Sequence, residues 1–434
     1  MTDMNKQILK LAIPSIVSNI TVPLLGLVDL AIVGHLGSTA YIGAIAIGTM
    51  MFNIIYWAFG FLRMGTGGLV AQAYGKQNRE EIGKLLIRSL SVAFGIALFL
   101  LLFQYPIQWV TFHLVESSTE VAIYAQIYFR ICIWGAPATL GLYCFAGWFI
   151  GMQNARIPMF IAISQNIINI IGSLCFVYLF HWGIQGVAAA TLTAQYSGIL
   201  LAIFFWRRKY SNLQQFIRIK KSFSSPDMKQ FFSVNSDIFF RTLCLITVTT
   251  FFTVTGARQG DLILAVNTLL MQLFTLFSYF MDGFAYAGEA MSGRFIGSKD
   301  RPALQKTIRA LFCWGGMLAL FFTLLYGFGG KAILHLLTND KNVVDTSGTY
   351  YFWVLAIPFA GFAAFLWDGI YIGTTHTRKM LYTMIIAAVL FFAVYYSLTK
   401  SIGNHALWAA FIVYLFSRGV LQSFWSRFFL KENR

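Results

Sequence analysis

The sequence predicts an all-α membrane protein with twelve transmembrane helices in two six-helix bundles, related by a pseudo-two-fold axis along the membrane normal. Of the 434 residues, 58% are hydrophobic and 11% are charged, whereas an ordinary soluble domain carries about 25% charged residues. The hydrophobic residues fall into runs of about 20 residues or more, the length needed to cross a bilayer. An internal repeat divides these runs into two equal sets, which predicts the two bundles.

The first six apolar runs are separated by short polar segments. They cover residues 8–36, 41–70, 85–112, 120–149, 157–182 and 184–207. The first run follows Lys6, the third follows the charged segment 76–84, and the fifth begins after Arg156. Each run therefore satisfies the length criterion for a membrane span and has a polar boundary.

The second six runs follow the one long polar stretch of the chain. They cover residues 230–256, 262–290, 303–333, 345–374, 378–400 and 403–427. The seventh run follows the basic segment 207–229, the ninth follows Arg301, and the eleventh begins at Arg378. We expect one bundle at 1–206, a cytoplasmic linker at 207–229, and a second bundle at 230–434.

The internal repeat relates positions that are 222 residues apart. Gly147, Gly151 and Arg156 correspond to Gly369, Gly373 and Arg378. An even number of spans separates the two copies, so they have the same orientation, as in transporters whose substrate path lies between parallel repeats. Chance similarity between apolar helices is the alternative, but matched Gly and Arg positions arise by chance less readily than matched Leu.

The basic residues define the orientation in the membrane. The net charge is +16, and the inner loops, tails and adjoining span ends hold 24 Lys and Arg residues against four on the outer side. This asymmetry predicts a multi-pass protein of the inner (cytoplasmic) membrane with both termini in the cytoplasm. Because the basic residues lie in short loops between apolar runs, we expect no nucleic-acid partner.

Sequence motifs for enzyme chemistry are absent. There is no GxxxxGK[ST] loop, no HExxH and no GxSxG elbow, and the five cysteines form no CxxC pair. The six histidines all fall near span ends. We therefore expect no enzyme activity, no metal and no cofactor, and the ionisable groups inside the spans become the functional candidates.

Asp29 is the first such candidate. It lies about 12 Å from the outer end of the first span, at 1.5 Å per residue. Asn169 and Ser173 on the fifth span and Thr191 on the sixth lie at similar depth, which predicts a proton or cation site. Asn166 precedes Asn169 by one helical turn and shares its face. The alternative for the asparagines is a polar seam that only joins helices.

Pro23 lies six residues before Asp29 on the same span. It has no N–H to bond the carbonyl of Asn19, so we expect the helix to be weak or kinked at this point. A helix that bends beside an ionisable site is a candidate switch, and a static kink is the alternative.

A second group of ionisable residues lies toward the inner side of the second half. Its members are Asp237, Arg241, Asp282, Glu289 and Asp368. Asp237 and Arg241 are four residues apart and can pair along one helix face. The group is either a cytoplasmic gate that opens in one state or a permanent ionic brace.

Several stretches resemble the multidrug and toxic compound extrusion (MATE) family. They are Pro23-Leu-Leu-Gly-Leu-Val-Asp29, Val33-Gly-His-Leu-Gly37, Val70-Ala-Gln-Ala-Tyr-Gly75 and Gly288-Glu-Ala290. Residues 235–241, 282–289 and 367–373 resemble its DNA-damage-inducible protein F branch. The resemblance implies alternating access between two bundles and identifies Asp29 as the coupling acid. The archaeal relatives have a second acid where this chain has Ser173, which argues against tight Na⁺ binding.

These observations predict a monomeric secondary transporter that exports amphiphilic, often cationic, small molecules in exchange for H⁺, with Na⁺ less favoured. The first alternative is a lipid-linked precursor flippase of the same superfamily, although only four arginines lie in the spans apart from the basic residues at their inner ends, namely Arg63, Arg130, Arg241 and Arg418. The second is a polytopic membrane transferase, which would require a clustered His/Asp or metal motif. The substrate itself is not predicted, because multidrug cavities repack around many compounds.

Overall fold

The computed structural model describes residues 3–34, 39–114, 118–215, 222–223 and 225–432, and every regular element within them is helical. The first ten helices are α1 Asp3–Gly34, α2 Thr39–Ala58, α3 Phe61–Gly75, α4 Arg79–Leu102, α5 Gln104–Leu114, α6 Thr119–Cys132, α7 Ala136–Gly151, α8 Arg156–Leu174, α9 Ile184–Lys209 and α10 Ser211–Gln214. The remaining six are α11 Ser225–Arg258, α12 Asp261–Gly297, α13 Arg301–Leu337, α14 Lys341–Gly373, α15 Thr377–Ile402 and α16 Asn404–Glu432.

The helices match the predicted membrane spans. Eleven helical stretches in the described part of the chain are long and apolar enough to cross a membrane. They cover the second to the twelfth predicted spans, and α1 covers the first. The all-α membrane fold expected from the sequence is therefore confirmed.

Irregular helical turns occur at two places in the chain, one between two helices and one at the end of a helix. A 3₁₀ turn, Ile133–Gly135, separates α6 from α7, and Pro137 lies in the first turn of α7. Proline lacks the N–H that would continue the helical ladder, so the chain changes pitch before it. A π-turn, Cys175–Leu179, extends α8 at its C-terminal end. In contrast, α1 continues as one helix through Pro14 and Pro23.

The chain divides into two compact units. The N-terminal unit is Ile13–Asn235, and the C-terminal unit is Met1–Ala12 together with Ser236–Arg434. In the C-terminal unit, Thr307 donates a hydrogen bond to the sulfur of Met4 (3.2 Å) and the Trp314 indole donates to the Asn5 amide oxygen (3.3 Å). The start of α1 therefore packs with the second half of the chain.

The predicted linker, 207–229, falls largely within the N-terminal unit, although residues 216–221 and 224 lie outside the described residues. The buried Arg88 of α4 holds this region, because its guanidinium donates to the Asp227 carboxylate (2.8 Å) and to the Ser222 carbonyl. It also donates to Glu81 (2.6 Å). These bonds fix the start of α11 against α4.

The internal repeat appears as the same close helix packing in each unit. A Cβ atom built on Gly147 of α7 would lie 2.1 Å from the carbonyl oxygen of Arg63 in α3. A Cβ atom on Gly369 of α14 would lie 2.1 Å from the carbonyl oxygen of Ala285 in α12. Gly147 and Gly369 are 222 residues apart, and so are Arg63 and Ala285, so the repeat shift carries one contact onto the other. Glycine at these two positions therefore allows the backbones to touch.

The turns repeat as well as the helix contacts. Gln77 and Lys299 have φ angles of 55° and 59°, and Gln153 and Thr375 have φ angles of 63° and 56°. These are non-glycine residues in the left-handed region, which is uncommon. The same unusual backbone conformation at positions 222 residues apart supports the internal repeat predicted from the sequence.

Candidate ion-coupling site

Asp29 lies in the last two turns of α1, where its side chain is buried. The residue is 9% exposed, and its Oδ1 atom is buried without a hydrogen-bond partner among the described residues. The carboxylate interacts with the side chain of Ser173. A buried carboxylate is costly unless a partner or a proton neutralises it. The side chain is therefore suited to bind a cation or a proton.

Three polar side chains of α8 and α9 form a hydrogen-bonded chain that leads to this carboxylate through Ser173. The Asn169 amide donates to the Thr191 hydroxyl (3.1 Å), and the Ser173 hydroxyl donates to the Asn169 amide oxygen (3.4 Å). Asn169 and Ser173 are 1% and 0% exposed. The structure thus brings Asp29, Asn169, Ser173 and Thr191 together, as their depths predict. The site offers one carboxylate and several neutral oxygen atoms.

Tyr128 and Cys132 of α6 complete the site, and neither residue was predicted from the sequence. Tyr128 is buried and interacts electrostatically with Asp29 and with the side chains of Thr191 and Cys132. A Cβ atom on Gly48 would lie 2.4 Å from the Tyr128 ring, so the glycine makes room for it. Tyrosines occur in most spans of this chain, and the sequence signal for this one is correspondingly weak.

Asn166 contacts α1 instead of the carboxylate. Its amide donates to the carbonyl of Thr21 (3.0 Å), two residues before Pro23. The polar face of α8 formed by Asn166, Asn169 and Ser173 therefore contacts α1 on one side of the proline and α9 at the site.

Three of the four helices that contribute side chains to the site carry an irregularity close to it. Pro23 precedes Asp29 by six residues, the 3₁₀ turn Ile133–Gly135 follows Cys132, and the π-turn Cys175–Leu179 begins two residues after Ser173. Short 3₁₀ and π segments within helices often mark functional sites or hinges. The helices of the N-terminal unit therefore depart from regular α-helix geometry close to Asp29.

The charged cluster of the C-terminal unit centres on Asp368. Arg241 pairs with Asp368, Arg418 donates to its Oδ2 atom (2.6 Å), and Gln422 donates to its Oδ1 atom (2.7 Å). All four side chains are buried, and the Arg418 guanidinium lies 5.2 Å from the centre of the Tyr414 ring. Neither Arg418 nor Gln422 was predicted as a member of this cluster.

The other members of the predicted cluster are Asp237, Asp282 and Glu289. Asp237 accepts a hydrogen bond from Thr377 (2.9 Å). Asp282 acts electrostatically on Arg418, and Glu289 is 1% exposed in α12. These contacts all lie inside the C-terminal unit. A network that joins three helices of one unit is the arrangement expected of an ionic brace.

Comparison with known proteins gives the family. The MatE family model matches residues 14–175 and 238–397, once in each half of the chain. DNA damage-inducible protein F of Escherichia coli K12 is 36% identical over 98% of this chain and 93% of its own length. The probable multidrug resistance protein NorM of Photorhabdus laumondii is 23% identical over 87% of this chain and 83% of its own length.

A solved structure has the same fold. The outward-facing conformation of a multidrug resistance MATE family transporter superposes with a TM-score of 0.88, covering 100% of this chain and 97% of that one at 17% identity. Members of this family are transporters, so the prediction that the chain is not an enzyme is confirmed. The chain belongs to the MatE family of membrane transporters, in its DNA damage-inducible protein F branch.

Proposed function

We propose that this protein exports amphiphilic, often cationic, organic molecules in exchange for protons that bind to Asp29. The observation that carries the proposal is the buried carboxylate whose Oδ1 has no donor among the described residues and which contacts the uncharged hydrogen-bonded chain of Ser173, Asn169 and Thr191 through Ser173. No Lys or Arg forms an ion pair with it in the described part of the chain. A buried acid that has no fixed cationic partner must be neutralised by a proton or a mobile cation.

The composition of the site favours a proton over Na⁺. Asp29 supplies one negative charge, and Ser173, Asn169 and Thr191 supply neutral atoms. A proton removes the buried charge by forming a covalent bond, whereas a bound Na⁺ must also give up its hydration shell. The archaeal relatives that the resemblance implies have a second acid at this position of the fifth span, whereas this chain has Ser173 there.

The physical basis of coupling is the cost of enclosing the charged acid. An ionised Asp29 requires water or a cation beside it, whereas the neutral acid can pack against α8 and α9. The protonation state therefore changes which conformation of the N-terminal unit is lower in free energy. Binding of an amphiphilic cation to the ionised state and its release from the protonated state would couple the two fluxes.

We also infer the orientation of the protein in the membrane and its oligomeric state. The ratio of 24 inner to four outer basic residues supports cytoplasmic termini in the inner membrane. We expect the transport unit to be a monomer, because the coupling residues all come from one unit of one chain.

The test uses everted vesicles in which a pH gradient and a Na⁺ gradient are imposed separately. We expect the wild-type protein to accumulate a fluorescent organic cation with the pH gradient alone. Asp29→Asn should abolish this transport with normal expression, whereas Asp345→Asn, at an exposed position of α14, should retain it. Transport that follows the Na⁺ gradient at clamped pH would refute the choice of ion.

A further inference from the structure

Two hydrogen bonds hold α1 on either side of Asp29, and both donors come from the α8 region. The Asn166 amide donates to the carbonyl of Thr21 (3.0 Å). The Tyr178 hydroxyl donates to the carbonyl of Ile32 (3.3 Å). The segment of α1 between the two acceptors, residues 22–31, contains both Pro23 and Asp29.

We propose that Asn166 and Tyr178 are positioning residues that fix the two ends of segment 22–31 and so confine the conformational change of α1 to this segment. The inference rests on the proposed function, because it gives Asp29 the coupling role. Neither residue contacts substrate in this proposal, and both act through the backbone of α1.

The bond from Asn166 holds α1 next to the proline. Pro23 cannot donate to the carbonyl of Asn19, and its ring crowds the turn that contains Thr21. The Asn166 amide donates to a different carbonyl of this turn, that of Thr21, and it fixes α1 immediately before the proline.

The bond from Tyr178 satisfies the end of the same helix. Ile32 lies in the last turn of α1, which ends at Gly34, and the last four carbonyls of a helix have no partner within it. The Tyr178 hydroxyl supplies a donor there. It fixes α1 one turn after Asp29.

The π-turn explains how one helix reaches α1 at both points. In a regular α-helix, the twelve-residue separation would place Tyr178 about 120° around the axis from Asn166. The π-turn Cys175–Leu179 contains Tyr178, and its wider i→i+5 pitch rotates the later side chains back toward the Asn166 face. The irregular turn therefore places the second donor opposite α1.

Hydrogen–deuterium exchange of the full-length protein in lipid nanodiscs tests the proposal at a fixed pH. Tyr178→Phe removes only the hydroxyl, and Asn166→Leu removes the amide at similar volume. Each should accelerate exchange of the α1 peptide containing residues 22–31 by about 2- to 10-fold, the change expected from loss of one neutral hydrogen bond. Asn166→Gln, which keeps the amide donor, should recover part of the protection.

Matched controls remove bonds of the same kind that do not involve α1. The Tyr196 hydroxyl donates to the Trp134 carbonyl (2.8 Å), and the Gln165 amide donates to the Ala194 carbonyl (3.4 Å). Tyr196→Phe and Gln165→Leu should leave exchange of residues 22–31 unchanged. Unchanged exchange in the Asn166 and Tyr178 variants, or equal acceleration throughout the N-terminal unit, would overturn the proposal.

Transport measurements separate this proposal from the proposed function. Tyr178→Phe should lower the turnover rate and leave the KM for the organic cation unchanged, because the substrate contacts are intact. Proton-driven transport by Asp29→Asn would refute the proposed function, while the exchange experiment would still decide whether Asn166 and Tyr178 hold segment 22–31.

Discussion

Replacing Asp368 with asparagine should destabilise the C-terminal unit strongly. The side chain stands between Arg241 and Arg418, and it also accepts a hydrogen bond from Gln422 (2.7 Å). The substitution keeps the shape of the side chain and removes its charge, leaving two buried guanidinium groups without their anion. Breaking a buried pair in this way costs about 3–5 kcal/mol.

The expected cost converts to a measurable change in thermal stability. For a domain of 150–250 residues, 1 kcal/mol corresponds to about 2–4 °C, so the apparent Tm should fall by roughly 6–20 °C. Fluorescence-detected size-exclusion chromatography after heating would measure it. Asp345→Asn, which changes an exposed acid on the same helix, should alter Tm by less than about 2 °C.

A second substitution distinguishes charge from shape. Adding Arg418→Met to Asp368→Asn removes one of the two unpaired cations, so part of the lost stability should return. If Asp368→Asn leaves Tm unchanged and instead increases labelling of a buried cysteine from the cytoplasmic side, the network is a gate and the brace interpretation is wrong.

Three further substitutions test other parts of the structure. Gly369→Ala places a methyl group 2.1 Å from the Ala285 carbonyl and should lower Tm and folded yield, whereas Gly316→Ala, where nothing lies within 4 Å, should leave both unchanged in the same chromatography. Ser173→Asp adds a second carboxylate to the site, so vesicle efflux should gain dependence on an imposed Na⁺ gradient. Pro23→Ala restores the missing helix bond, worth about 1 kcal/mol, and should slow turnover several-fold while the binding constant for the organic cation stays within about twofold.

The sequence predicted the helical fold because composition and run length determine whether a segment can cross a membrane. It also predicted Asp29, Asn169, Ser173 and Thr191 as neighbours, since distance along a helix converts directly into depth. Run length and depth are both distances along a single helix. Which helices face each other at a given depth does not follow from them.

Several residues of the two sites were not predicted because their positions depend on which helices pack together. Tyr128 joins the site because α6 packs beside α9, and Arg418 joins Asp368 because α16 packs beside α14. Arg241 and Asp237 share a helix face, yet Arg241 pairs with Asp368 and Asp237 bonds to Thr377. The contacts with neighbouring helices decide these partners, and periodicity contains no information about them.

Proton movement on addition of substrate tests the central claim most directly. Purified protein would be reconstituted into liposomes that contain a pH-sensitive dye, without any imposed gradient. An organic cation added outside should enter as protons leave, so the luminal pH should rise in the wild type and in Asp345→Asn. Asp29→Asn should give no rise. An equal rise in luminal pH with Asp29→Asn would contradict the assignment of Asp29 as the proton-coupling residue.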